Sequence, residues 1–264
     1  FFRRLFAEGA FIQSFVPVLN DYKVNNPVEL KRFIGYIQGN LALILFVITF
    51  FGIIFSENIV NLFAPGFEVG GERYLLASEM LKITFPYLFF IALTAMSAGI
   101  FNTFNKFLLP AITPVLLNIS LIFSALYLTN IFSVPIIALA YGVLIAGILQ
   151  YIIQIPFLYK IDLLVAPKIS FKFSGVNKVM KLMLPAILGT AVVQINLMID
   201  SIVASLLISG SISWLYYSDR LVELPLGVFG IAIATVILPA LSAKYSKKDI
   251  SSYKSTLKNA LNIS

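Results

Sequence analysis

The stretch VPIIALAYGVLIAGILQYIIQIPFLYK (134–160) carries no charge before Lys160, and its strongly polar side chains are Gln150 and Gln154. A helix needs about 20 predominantly apolar residues to cross a bilayer. Residues 134–159 therefore read as a membrane span that stops at a cationic edge. The same criterion picks out 33–55, 77–104, 107–129, 179–208 and 213–243, and residues 1–19 read as part of a seventh span. Pro86, Pro110, Pro114, Pro135, Pro185 and Pro225 fall in or at the ends of these spans. Such breaks are tolerated in a membrane because neighbouring helices and hydroxyl side chains re-satisfy the freed carbonyls. The predicted fold class is all-α, a polytopic transmembrane helix bundle.

Composition agrees with this reading. Of 264 residues, 59% are hydrophobic and 12% charged, and the mean hydropathy is +0.95. A soluble domain carries about 25% charged residues, so this chain lacks the polar surface that water requires. The net charge of +7 gathers at the ends of apolar segments, as membrane topology demands, and nucleic acid is not an expected partner. There is no cysteine and no histidine. That removes disulfides, thiolate and imidazole metal sites and the usual general base, so neither a metal nor a cofactor is expected. No phosphate-cradling G-x-x-x-x-G-K-[ST] and no paired carboxylates in a sizeable loop occur either, which argues against a membrane enzyme. The chain begins without methionine, shows no signal-peptide pattern and ends on ALNIS within a helical pattern. It is expected to be an internal piece of a longer polypeptide.

Alternate loops carry Lys23, Lys31 and Arg32; Lys106; Lys160, Lys168, Lys172 and Lys178; and Lys244, Lys247, Lys248, Lys254 and Lys258. The intervening loops (56–76, 130–133 and 209–212) hold Arg73 as their one basic residue, beside Glu57, Glu68 and Glu72. Cytoplasmic loops concentrate Lys and Arg, so the first set faces the cytoplasm. The loop 160–178 is basic and without a recognisable motif. A repeat is also visible. Phe15-Val-Pro-Val-Leu19 and Ile237-Leu-Pro-Ala-Leu241 each end a span on the cytoplasmic side and lead into a Lys-bearing polar segment. Because both copies exit on one side, the repeat is parallel, with 15–236 as one period.

Ionisable groups inside a span cost about 2.5–3.5 kcal/mol each on insertion scales, so they are functional candidates. Two groups stand out: Arg3, Arg4 and Glu8, and Asp219, Arg220 and Glu223. Arg4 and Glu8 are four apart and Arg220 and Glu223 three apart, which places opposite charges on one helical face. Such pairs either tie helices together or prepare a site. The arginines favour the second reading, since a guanidinium stays protonated and presents a planar fork to phosphate or carboxylate. An anionic ligand in a central cavity is expected. Asp200 is a lone acid, open to a coupling cation, an arginine or a neighbouring helix. Glu79 and Lys82 are expected to pair at the outer interface. Gly35 and Gly39 are expected to let two helices approach closely. The in-span amides, Gln150 and Gln154 among them, are expected to bond between helices or line a polar cavity.

The segments RRLFAEGAF (3–11), FVPVLNDYK (15–23), Ala64-Pro-Gly-Phe67, LKITFPY (81–87), FNTFNKF (101–107), PAITPVLLNIS (110–120) and SISWLYYSDRLVELPLGVFGIAIATVILP (211–239) resemble, in the same order, the MurJ (MviN) family of bacterial lipid II flippases. The resemblance implies one incomplete six-helix lobe plus the start of a second. Residues 1–160 would be the N-terminal lobe (spans two to six of the parent), 161–178 a basic cytoplasmic linker, and 179–264 the start of the C-terminal lobe (spans seven and eight). It further implies the bacterial inner membrane and a cavity whose arginines engage the pyrophosphate of lipid II. By motif, Arg3 and Arg220 come first, then Arg4, Glu8, Asp219 and Glu223. Lipid II, membrane lipids, and a coupling cation or the membrane potential are the implied partners, and no bond is made or broken. The alternatives are a flippase for another lipid-linked glycan, a drug/cation antiporter of the same superfamily, and a membrane-embedded polyprenyl-sugar transferase.

Overall fold

The computed structural model describes residues 9–225. They are mainly helical, with no strand among the described residues. α1 (Ala10–Asn25) runs through Pro17, and a 3-10 turn opened by Pro27 leads into α2 (Leu30–Ile54). Proline suits that first position because its missing N–H would have lacked a partner there anyway. Then follow α3 (Ser56–Phe63), α4 (Glu72–Thr84), α5 (Tyr87–Thr103), α6 (Leu108–Ile112), α7 (Val115–Phe123), α8 (Ile137–Ile152), α9 (Ile155–Lys160), α10 (Ser174–Ser205) and α11 (Ser211–Pro225).

Five stretches are long and apolar enough to cross a membrane: Pro27–Ile54, Glu72–Thr103, Leu108–Ile131, Ile137–Lys160 and Ser174–Ser205. They coincide with five of the predicted spans. Prolines mark the interruptions inside them, with Pro86 between α4 and α5 and Pro114 between α6 and α7. Of the predicted span 213–243, α11 is the described part. The repeat copy at 237–241 lies outside the described residues, as do the first eight residues of the chain.

The described chain divides into two compact units, one ending at Leu206 and one beginning at Leu207. In the first unit the core lies between α1, α2, α5 and α10. Phe15 stacks on Phe33 at 5.9 Å and Tyr22 on Phe33 at 4.4 Å between ring centroids. The Tyr22 hydroxyl lies 3.3 Å from Ser174 Oγ, tying α1 to the start of α10. In a bilayer, burying Phe33 removes it from lipid rather than from water, so the gain is close packing. Large apolar side chains such as Phe46, Phe50, Ile119 and Ile122 face outward. A water-facing surface would not carry so many, and lipid accepts them.

Two expectations are corrected by packing. The glycine pair Gly35 and Gly39 does not seat a second helix. It seats the extended segment 165–170: Lys168 N–H donates to the Gly35 carbonyl at 2.9 Å, and a Cβ on Gly39 would fall on the Lys168 backbone. One turn along, Asn40 holds both backbone groups of Ser170, donating to its carbonyl at 2.8 Å and accepting from its N–H at 3.1 Å. The basic loop is thus a strap laid along α2, featureless in sequence only. The second correction concerns Lys82, which pairs at 3.3 Å with Glu57 on α3 rather than with Glu79, because α3 folds back beside α4. Several lysines of the basic loops also brace the fold. Lys23 donates to the Thr103 carbonyl at the end of α5, 2.7 Å away, and lies over the Phe104 ring, where a cation complements the helix dipole. Lys31 meets Asp162, and Lys178 meets Asp21.

Candidate functional site

Of the six predicted site residues, Arg3, Arg4 and Glu8 lie outside the described residues. The other three stand on α11. That helix begins after Gly210, whose φ of +101° is open to glycine at little cost. Trp214 N–H returns to the Gly210 carbonyl at 2.9 Å and closes the first turn.

From there the 3.6-residue period carries Tyr216, Arg220 and Glu223 up one face, with Asp219 beside Arg220. Arg220 Nη1 donates to Glu223 Oε2 at 2.8 Å, and its guanidinium lies 5.2 Å from the Tyr216 ring centroid. The i,i+3 pairing predicted from sequence is therefore present. Both side chains stay more than half exposed, at 60% and 51%, so the pair is weak as a structural tie. The guanidinium thus lies between the Tyr216 ring and the Glu223 carboxylate. A guanidinium carries five donors, more than one carboxylate takes up, so the fork keeps capacity for phosphate oxygens. No group of three or more His, Cys, Asp or Glu that could hold a metal occurs among the described residues. Asp200, on α10, is exposed.

Comparison with known proteins decides the family. The whole chain, residues 1–264, matches the family model described as Lipid II flippase MurJ. The chain belongs to the MurJ lipid II flippase family. It is 49% identical over 253 residues to a Vibrio cholerae protein named probable lipid II flippase MurJ, covering 93% of this chain and 48% of that protein. A Haemophilus influenzae protein with the same name is 45% identical over 265 residues, covering 97% and 52%. The lipid II flippase MurJ of Burkholderia cenocepacia is 37% identical over 260 residues, covering 97% and 50%. The chain thus spans about half the length of the curated relatives it matches.

Sequence reasoning found the charged face of α11 because a helix repeats its faces at fixed intervals. It passed over Thr94 and Thr113, which share a cavity with Gln150 and Gln154. The signal available was Thr113-Pro114, a hydroxyl at a helix break, opposite two glutamines four residues apart.

Proposed function

We propose that the chain belongs to a flippase that moves polyprenyl-pyrophosphate-linked disaccharide-pentapeptide, the lipid II precursor of peptidoglycan, from the inner to the outer leaflet of the bacterial inner membrane. What carries the proposal is the family match over all 264 residues, to relatives named for that activity. Residues 1–160 would form the first lobe, 161–178 its link to the second, and 179–264 the beginning of that second lobe. The head group would sit between the lobes, with Arg3 and Arg220 taking the diphosphate and Arg4, Glu8, Asp219 and Glu223 setting the charge around it. Rocking of the lobes would then open the cavity outward with no bond made or broken.

In a low-dielectric cavity a diphosphate is costly unless paired, and a guanidinium preset by Tyr216 and Glu223 offsets that cost. The membrane potential supplies about 2.3 kcal/mol per charge per 100 mV and would help return the empty transporter. The test is to change Arg3→Glu and Arg220→Glu separately in the full-length protein and follow head-group export in cells. Each change is expected to abolish export while the protein stays in the membrane. Export that survives both would remove the diphosphate cradle.

A further inference from the structure

Arg32 stands in the first turn of α2, at the edge of the span Pro27–Ile54. Its guanidinium lies 5.8 Å from two ring centroids, that of Tyr36 one turn on and that of Phe173 just past the strap. The two rings stack on each other at 4.8 Å. A cation within about 6 Å of an aromatic face is attracted to it, so the strap brings a second ring to an arginine that α2 alone would give one. Glu29 Oε1 is 3.6 Å from Arg32 Nη1, too far for a hydrogen bond, and the fork meets no other acceptor among the described residues. The Arg32 side chain is 57% exposed. Its five donors are therefore free to take an anion.

Deeper in the same span a narrow apolar groove follows. It is lined by Ile37, Leu41 and Ile44 of α2, by Phe171 just past the strap, and by Met180 and Met183 of α10. Asn40 borders the groove too, but its amide is committed to the Ser170 backbone. Residues 32, 36, 40 and 44 are spaced by four, so they share one stripe of α2. From Arg32 to Ile44 that stripe covers about 18 Å, and one leaflet contributes about 15 Å of hydrocarbon. Lys168 and Lys172, on and beside the strap, are exposed and have no acidic partner among the described residues.

We infer that this stripe of α2, with the strap along it, holds one anionic phospholipid. The head-group phosphate takes the Arg32 fork in a bidentate contact, and one acyl chain lies in the groove from Ile37 to Ile44. A free phosphate would use the cation and leave the groove empty. The uncompensated Lys168 and Lys172 repel the ammonium of a zwitterionic head group and favour a net negative one. The inference goes beyond the lipid-export reading and does not rest on it, since the occupant is a lipid of the surrounding bilayer and binding is measured with no lipid-linked glycan present.

The experiment uses the full-length protein in detergent and counts bound lipids by native mass spectrometry during titration with phosphatidylglycerol or phosphatidylcholine. Wild type is expected to take one phosphatidylglycerol more tightly than any phosphatidylcholine. Arg32→Gln is expected to weaken that binding about tenfold and to leave phosphatidylcholine binding and the melting temperature in phosphatidylcholine nanodiscs unchanged. Arg32→Lys keeps the charge without the fork and should recover only part of the loss. Ile44→Trp, which fills the groove and leaves the cation in place, is expected to weaken binding about threefold or more. Lys106→Gln, a charge loss away from the stripe, should change nothing. Equal phosphatidylglycerol affinity in wild type and Arg32→Gln would overturn the inference. Equal losses from Arg32→Gln and Lys106→Gln would do the same, since general charge would then explain the binding. Competition by soluble glycerol phosphate at the lipid's own concentration would reduce the site to a phosphate contact and remove the acyl chain from it.

Discussion

The strap on α2 and the cavity beside α8 handle buried polarity in opposite ways. At the strap, Asn40 meets both backbone groups of Ser170, and the Gly35 carbonyl takes the N–H of Lys168. Beside the cavity, Gln150, Gln154 and Thr94 each keep a buried oxygen unspent. A satisfied network holds the chain in one place. An unsatisfied one is a strain reservoir or a site. The strap is therefore a structural device, whereas the oxygens beside α8 are buried polarity left unpaired.

Substitutions should separate the two regions, with effects from largest to smallest. Gly39→Val puts side-chain atoms where the Lys168 backbone runs. It is expected to cost about 3 kcal/mol or more, since backbone must move, and to expose the 165–170 segment to limited proteolysis. Asn40→Leu leaves the Ser170 N–H and carbonyl without their partner, at an expected cost of about 2–4 kcal/mol read from thermal unfolding in nanodiscs. If both variants melt like wild type, the strap does not brace the unit. Gln150→Leu removes one bond to Thr113 but also an unpaired buried oxygen. Its expected change is about 1 kcal/mol or less in either direction. A loss as large as that of Asn40→Leu would make the cavity structural and erase the contrast.

The smallest effect is one of pH, where the end of α1 meets the start of α10. The Asn25 amide, then Lys178, holds the Asp21 carboxyl below its ordinary value. A carboxylate with a depressed folded-state pKa contributes fully above the unfolded value and loses that contribution as pH falls through the folded one. Melting is therefore expected to be insensitive to Asp21 from pH 7 to about 5 and to weaken below about pH 4. Asp21→Asn should remove that acid-side dependence. If it leaves the acid limb unchanged, other carboxylates set it.

The spans were legible because each rests on a local property, a run of apolar side chains long enough for a bilayer. The charged face of α11 was legible for the same kind of reason, since residues 220 and 223 share a face in any helix. Lys82 was misassigned because Glu79 is near in sequence, whereas Glu57 becomes its neighbour once α3 folds back beside α4. The glycine pair was legible as a place of close approach, but not as one for an extended segment 130 residues further on.

Residue order alone therefore determined which segments enter the membrane and which family the chain resembles. Hydropathy, charge and motif are properties of short stretches and survive in any fold built from them. The tertiary structure decided what occupies the groove on α2, which acid Lys82 meets and which way the glutamine amides turn. Those outcomes depend on groups brought together from distant positions. Beside α8, a single proton on Thr113, given to Leu109, leaves the side-chain oxygens of Gln150 and Gln154 buried without a partner.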